Sequence, residues 1–304
     1  MTIAKLSPAA LQQRLSQQGL LLPCGPFNVK LRSDLPSLAR DLLQMYGAFP
    51  VLDAQAYVDF EVDLRAPSWP RRYFRPQVVL NCDGRIPFKP LPLAQAFPML
   101  EWGLNWVISS HAHNYLVIHG AVVERDGRAL ILAADPGSGK STLCAALVHR
   151  GWRLLSDELT LVSLTDGTVQ PIARPISLKN ASIDIVRGLG PDVVVSEACH
   201  DTAKGSVAHM RPPAASVADM NKTAMPAMLV FPKYLGGADL LSREEGKAQA
   251  FIELTRHTFN FSVLAGDGFG ALGNLIEQVN SFHIQYSSFD QVIPEIDRLW
   301  CKTV

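Results

Sequence analysis

The sequence has few cysteines and no close cysteine pair. Its five cysteines are odd in number and widely spaced, and no C-x-x-C pattern occurs. A disulfide framework or a cysteine-rich zinc site requires paired, regularly spaced cysteines. We therefore expect reduced thiols in a cytoplasmic protein.

The sequence also lacks an excess of either charge and any long apolar run. Lys plus Arg and Asp plus Glu both number 28, so neither a basic stripe for nucleic acid nor a basic patch for a membrane surface is expected. No stretch reaches the roughly eighteen consecutive apolar residues of a membrane span. Residues 1–18 lack the basic start and apolar centre of a signal peptide. Nucleic acid and membranes are therefore not expected as partners.

The length and composition are sufficient for a full core. With 304 residues, of which 48% are hydrophobic, the chain can form one large domain or two smaller ones. Residues 1–90 mix helical and strand patterns without a catalytic motif, which predicts a small α+β N-terminal lobe. Residues 91–304 carry the motifs and are predicted to form the second domain. The predicted class is α/β.

Several elements follow from periodicity and turn residues. Residues 91–109 predict one core helix, 246–261 and 270–279 two further helices, and 288–299 a terminal amphipathic helix. Residues 20–26, with two prolines and a glycine, are expected to end the first helix. Residues 66–76 predict a loop, and 214–226 a flexible connector.

A glycine-rich loop stands between a predicted strand, 129–133, and a predicted helix, 142–149. Gly137 and Gly139 allow the backbone to approach a polyphosphate, and the following helix points its positive end at the same charge. Lys140 is placed to reach the β- and γ-phosphates and Ser141 to ligate Mg²⁺. Ala134 replaces the first glycine of the strict pattern, so the relaxed form is matched. The predicted nucleotide-binding residues are Ala134, Asp135, Pro136, Gly137, Ser138, Gly139, Lys140, Ser141 and Thr142.

Two neighbouring segments add candidate catalytic groups. Residues 153–158 predict a short strand that ends in Asp157 and Glu158, where carboxylates suit a bound metal or a general base. We expect that strand to lie next to the one that feeds the loop, and we expect Mg²⁺ and Lys140 to keep the pKa of Asp157 low. His119 interrupts an apolar strand before Gly120. The structural alternatives are a surface turn, an exposed acidic strand end and a hydrogen-bonded core histidine. His111 and His113 lack a third ligand and are interpreted as solvent or capping residues.

Taken together, these segments resemble the catalytic core of HPr serine kinase/phosphorylases, and most closely the branch called HprK-related kinase A. The resemblance to that branch extends to residues 97–106, 174–180 and 231–234, whereas similarity to the HPr kinases proper covers roughly fifty central residues, the size of one βαβ unit plus a strand. It implies the P-loop fold with a mixed sheet that HPr kinases share with phosphoenolpyruvate carboxykinases.

The resemblance also implies roles for single residues. Asp157 would accept the proton of the acceptor hydroxyl, Glu158 would help to hold Mg²⁺, and His119 would lie beside the γ-phosphate. The family has Asp where Glu158 stands. An arginine-glycine segment follows the acidic strand in the family, and this chain offers two candidates for it. Arg187 is followed by a glycine, as in the family, but it comes after a predicted helix. Arg174 with Lys179 is preferred because it lies where the family places its motif, although Pro175 replaces the glycine.

The segment 199–213 predicts a polar loop with small hydroxyls and basic side chains. Such a loop can close over phosphates or seat an acceptor, and it is equally compatible with an ordinary surface loop. The candidate phosphate or substrate contacts are Lys204, His209 and Arg211 from this segment, together with Arg174 and Lys179 from the arginine segment.

The predicted function is an ATP- and Mg²⁺-dependent kinase that acts on a hydroxyl, with a peptide or protein as acceptor. Two alternatives remain: a nucleotide-binding partner protein without phosphotransfer, and a small-molecule kinase or carboxykinase-like enzyme on the same fold. The acidic pair favours an enzyme, since a pure binder needs one metal carboxylate at most. The sequence leaves a homo-oligomer open.

Overall fold

The apolar runs of the sequence form strands in three sheets of the computed structural model, which describes residues 1–303. The strands are β1 Leu20–Cys24, β2 Phe27–Ser33, β3 Phe60–Arg65, β4 Gln77–Cys82, β5 Leu91–Pro92, β6 Tyr115–Arg125, β7 Arg128–Ala133, β8 Arg153–Ser156, β9 Leu159–Ser163, β10 Val169–Gln170, β11 Ile176–Lys179, β12 Cys199–Thr202, β13 Gly205–Met210, β14 Met225–Tyr234, β15 Leu241–Glu245 and β16 Asn280–Tyr286. The helices are α1 Pro8–Gln17, α2 Pro36–Met45, α3 Pro70–Tyr73, α4 Ala96–His111, α5 Lys140–His149, α6 Ala181–Arg187, α7 Ala214–Ala218, α8 Lys247–Arg256, α9 Phe261–Gln278 and α10 Phe289–Thr303.

The predicted α/β class with a mixed sheet is confirmed. The largest sheet has the order β10-β9-β6-β7-β14-β16-β15, with β8 also paired to β6. Strand β14 runs parallel to β7 and β16, while the pairs of β6 with β7, β8 and β9 are antiparallel. Helices α5 and α10 cover one face of this sheet, and α8 and α9 cover the other. The sheet is therefore buried on both faces, as its continuous apolar strands require.

A second sheet is built from the N-terminal residues in the order β1-β2-β3-β4-β5. Its core, with α1, α2 and α4, also takes in Val117, Leu159, Leu161, Ile172 and Val217 from the rest of the chain. The predicted division at residue 90 remains a prediction. A third, small sheet has the order β11-β13-β12.

Helix α1 ends at Gln17, before residues 20–26, as expected. Residues 20–24 then form edge strand β1, where Pro23 needs no ladder partner for its nitrogen. Other predicted loops and boundaries were wrong. Helix α4 begins only at Ala96, because residues 91–92 pair with β4 as β5. Residues 70–73 form a short helix, α3, within the predicted loop. The predicted connector contains α7, whose Val217 is buried.

The segment 199–213 is largely a hairpin of β12 and β13 rather than a loop. Val207, Ala208 and Met210 are buried, and this apolar content outweighed the polar residues used to predict a loop. Further along, α9 begins at Phe261, well before the predicted start at residue 270, with a kink at Ala265.

Within residues 1–303, no helix combines the length and apolar character that crossing a membrane requires.

Candidate active site

The glycine-rich loop has the predicted local structure. The buried strand β7 ends at Ala133, the turn follows, and α5 begins at Lys140. Gly137 and Gly139 both have φ of +89°, a left-handed conformation that favours glycine. The Nζ atom of Lys140 donates to the carbonyl oxygen of Ala134 at 3.1 Å, so the lysine lies across the loop. Asp135, Pro136 and Gly137 are exposed, and Ser138, Gly139, Ser141 and Thr142 are half-buried.

The side chain of Lys140 lies in the field of the acidic pair. Burial lowers the pKa of its ammonium group, and the charges of Asp157 and Glu158 oppose that shift. Only 7% of the residue is exposed. The lysine and both carboxylates therefore belong to one cluster.

The acidic pair does not lie on a strand next to β7, which corrects that expectation. Strand β6 lies between β7 and β8, since Gly120 pairs with Ala133 while Val122 pairs with Ser156. After Asp157 and Glu158 the chain continues as β9, which also pairs with β6. Because β6 is antiparallel to both β7 and β8, these two strands are parallel to each other. Asp157 and Glu158 therefore still lie at the end of the sheet where β7 leads into the glycine-rich loop.

Asp157 is buried and only partly satisfied. Its Oδ2 atom accepts a hydrogen bond from the main-chain N–H of Ser177 at 2.9 Å, whereas Oδ1 has no hydrogen-bond partner within the described part of the chain. Burial, followed by the charge of Glu158, raises the pKa of Asp157 to about 7. The Ser177 N–H, the Ser141 side chain and the charge of Lys140 oppose that rise without cancelling it. The expectation of a low pKa included bound Mg²⁺ and stays a prediction.

Glu158 is surrounded by basic side chains. Its Oε1 lies 3.7 Å from Lys179 Nζ, and its Oε2 lies 3.6 Å from His119 Nδ1. Burial acts to raise the pKa of Glu158, but Lys179, His119, Lys204 and Lys140 together outweigh it and lower the pKa. Glu158 is therefore held as a carboxylate, the form that binds a cation.

His119 is kept neutral. Burial and then the charge of Lys140 lower its pKa to about 4, against a smaller opposing effect of Glu158. Its main-chain N–H donates to the carbonyl oxygen of His257 at 2.6 Å, and its ring meets Phe259 edge-on with centroids 5.6 Å apart. The segment around Phe259 thus borders the site, and sequence reasoning had not included it.

Lys179, Lys204 and His209 lie near the acidic pair, whereas Arg211 does not. Lys179 and Lys204 act on Glu158, and Lys204 Nζ also lies 5.2 Å from the centroid of Trp102. His209 is buried on β13, packs edge-on against Phe97, and has a pKa lowered to about 3 by burial. Arg211 is exposed, and the described residues show no ion pair of its side chain with the acidic pair.

The two arginine segments also differ. Arg187 lies at the exposed end of α6, where it bonds to Ser196 and pairs with Asp184. Arg174 is buried and donates to Glu101 Oε2 at 3.0 Å and to the Asn105 side chain. Only Arg174 therefore lies beside the acidic pair.

A narrow crevice connects Arg174 to the acidic pair. Helix α4 contributes Glu101, Trp102 and Asn105 to its lining, which also includes Asp157 and Glu158. These α4 residues lie within the segment 97–106, to which the sequence alone assigns no role. Glu101 and Asn105, polar residues four apart on an apolar helix, were the signal that could have identified them.

Comparison with known proteins supports a relation to HPr kinases over part of the chain. A family model described as SynChlorMet cassette protein ScmC matches residues 96–177. The HPr kinase/phosphorylases of two strains of Treponema pallidum are each 33% identical over 91 residues, 30% of this chain. The chain spans only 28% of the length of those relatives.

The solved structure of the Hpr(Ser) kinase/phosphatase from Coxiella burnetii is similar at 12% identity, with a TM-score of 0.29, over 61% of this chain and 98% of that one. The sequence matches confirm the resemblance to HPr kinase/phosphorylases. The matched region covers 91 residues, more than the roughly fifty central residues expected from the sequence alone. Assignment to the HprK-related kinase A branch remains a prediction.

Proposed function

We propose that this protein is a kinase that transfers the γ-phosphate of ATP to a hydroxyl group of a peptide or protein. The observation that carries the proposal is the buried Asp157, whose Oδ1 has no hydrogen-bond partner in the described chain and which shares one cluster with Lys140 and Glu158. A buried polar atom without a partner is costly in a structural role. An oxygen atom without a partner is instead expected in a carboxylate that receives a proton or contacts a ligand.

The residues present fit a magnesium ion. Ser141 and Glu158 supply the hard oxygen atoms that Mg²⁺ prefers, and Asp157 Oδ1 is a further oxygen in the same cluster. The described residues contain no group of three or more His, Cys, Asp or Glu that could hold a metal. In phosphoryl transfer, however, Mg²⁺ needs only one or two carboxylates, because substrate phosphates and water complete its shell. When bound, the ion would neutralise charge on the phosphates.

The protein residues bind the phosphates, accept the proton and position the acidic pair. Lys140 moves from Ala134 to the β- and γ-phosphates, and the loop amides bind the same group. Asp157 accepts the proton as the acceptor oxygen bonds to the γ-phosphorus and the bond from phosphorus to the ADP oxygen breaks. Neutral His119, next to Glu158, helps to position the acidic pair.

Labelled γ-phosphate provides the test. The purified chain is incubated with labelled Mg-ATP and protein fractions of its source cells, and labelled acceptors are identified by phosphosite mass spectrometry. Label on serine or threonine with the parent chain but not with Asp157→Asn supports the proposal. ATP binding without any labelled product would instead favour the nucleotide-binding partner, and label on small molecules alone the small-molecule kinase.

A further inference from the structure

Two tyrosines flank the glycine-rich loop on the side away from the acidic pair. Tyr234 ends β14 and Tyr286 ends β16, and the two residues are paired in register. A Cβ atom on Gly139 would lie 2.9 Å from the Tyr286 hydroxyl oxygen and 3.0 Å from Tyr234 Cβ. The N–H of Tyr234 also donates to the carbonyl oxygen of Ser138 at 2.9 Å. The end of β14 is thus tied directly to the loop.

The two tyrosines differ in exposure. Tyr286 is 2% exposed and belongs to the core under α5 and α10, whereas Tyr234 is 48% exposed. Their rings meet edge-on with centroids 5.8 Å apart, so the buried ring supports the exposed one. The result is an aromatic side chain fixed at its backbone and open to a ligand beside the loop.

The strand order indicates which end of a nucleotide reaches this position. Along the sheet, β8 with the acidic pair lies on the β6 side of β7, and β14 and β16 lie on the opposite side. Mg²⁺ held by these carboxylates would attract the terminal phosphates to the β6 side. The nucleoside end of the chain of phosphates is therefore directed towards the ends of β14 and β16.

We infer that Tyr234 supplies a stacking surface for the base of the nucleotide. The inference rests on the proposed function in one respect, because it requires the loop to bind a nucleotide. Stacking on an aromatic ring involves the face of the base and does not depend on the hydrogen-bonding groups at its edges. ATP and GTP should therefore bind with similar affinity, and polyphosphate without a base should bind more weakly.

The test compares Mg-ATP with Mg-tripolyphosphate by calorimetric titration. Tyr234→Ala removes the ring but keeps the Cβ atom next to Gly139, so the packing of the loop is preserved. We expect a roughly tenfold higher Kd for ATP, the equivalent of about 1.4 kcal/mol and within the usual worth of base stacking, with no change for tripolyphosphate. Tyr234→Phe, which keeps the ring, should restore ATP affinity. Tyr57→Ala removes another exposed tyrosine as a matched control.

The outcomes separate this inference from the proposed function. Equal weakening of ATP and tripolyphosphate by Tyr234→Ala, or unchanged ATP affinity, would overturn the stacking role. A parent chain that binds tripolyphosphate as tightly as ATP would overturn it too, while leaving the phosphate site and the kinase proposal intact. A parent chain that binds neither compound would overturn both.

Discussion

Arg174 Nη1 lies 3.0 Å from Glu101 Oε2, and both side chains are buried. The other carboxylate oxygen of Glu101 accepts a hydrogen bond from the Tyr46 hydroxyl at 2.5 Å. This network joins α2's end, α4 and the segment before β11 at the inner end of the crevice. The arginine proposed to contact substrate is therefore also a buried partner of a glutamate.

We expect Arg174→Met to lower the free energy of unfolding by about 3–5 kcal/mol, because it leaves Glu101 buried without its partner. Urea denaturation measures this loss. Arg187→Met, at the exposed end of α6, is the matched control and should change stability by no more than about 0.5 kcal/mol. An Arg174→Met variant with the parent's urea midpoint and impaired acceptor phosphorylation would show that the arginine serves the substrate instead.

The sequence predicted the phosphate loop because its signal is local. Strand, glycines, lysine and helix occur within about twenty residues in the order that phosphate binding requires. The surroundings of Asp157 could not be predicted in the same way. Its hydrogen bond comes from Ser177, twenty residues further on, and its raised pKa comes mainly from burial, which depends on tertiary packing.

The order of the strands in the sheet could not be predicted from the sequence either. The prediction placed the acidic strand beside β7, as in an ordinary parallel α/β sheet. Residues 115–125 instead form one long strand, β6, that pairs with β7 on one side and with β8 and β9 on the other. A short polar segment, 199–213, was wrongly predicted as a loop because its buried residues form a run too short to reveal β13.

Gly139→Ala should weaken Mg-ATP binding more than Gly137→Ala does. Both glycines have φ of +89°, so both alanines bear the same backbone strain. Only at residue 139 would the new Cβ meet neighbours, the two tyrosine side chains, whereas nothing lies within 4 Å at residue 137. We expect a roughly tenfold difference in Kd, within the usual cost of overpacking. Equal Kd values for the two variants would contradict the close packing of Tyr234 and Tyr286 on the loop.

Lys140→Ala should abolish ATP turnover and strongly weaken ATP binding while the fold remains intact. It removes the flexible charge aimed at the β- and γ-phosphates. Calorimetric titration with Mg-ATP and circular dichroism measure binding and folding. Lys222→Ala, in an exposed ion pair with Asp219, is the control for loss of one positive charge. A folded Lys140→Ala variant with parental ATP affinity and turnover would refute the loop assignment.

Chelation should remove the activity. Excess EDTA is expected to stop phosphotransfer, and added Mg²⁺ or Mn²⁺ to restore it. Glu158→Gln should raise the Mg²⁺ concentration needed for the half-maximal rate, because an amide binds the cation less strongly than a carboxylate. The exposed Glu61→Gln serves as control. Full activity in EDTA would exclude the metal requirement.

Asp157→Asn should retain ATP binding and lose phosphotransfer. Asparagine keeps the size of the side chain and can still accept from the Ser177 N–H, but it cannot take the proton of an acceptor hydroxyl. Loss of a general base typically lowers the rate by about 10²–10⁴-fold. Single-turnover transfer of labelled phosphate, beside a Kd for ATP measured on the same sample, separates the two effects. His119→Ala should lower the rate less, since this neutral ring contacts Glu158 and positions the pair.

Asp53→Asn, on the exposed loop before β3, is the matched control for this exchange and should transfer phosphate at the parental rate. Two results would contradict the assignment of the base. Transfer at the parental rate by Asp157→Asn would leave the acidic pair with a role in metal binding alone. Loss of ATP binding in the folded variant would mean that the carboxylate holds the metal and nucleotide in place, so that its effect on the rate could not be assigned to proton transfer.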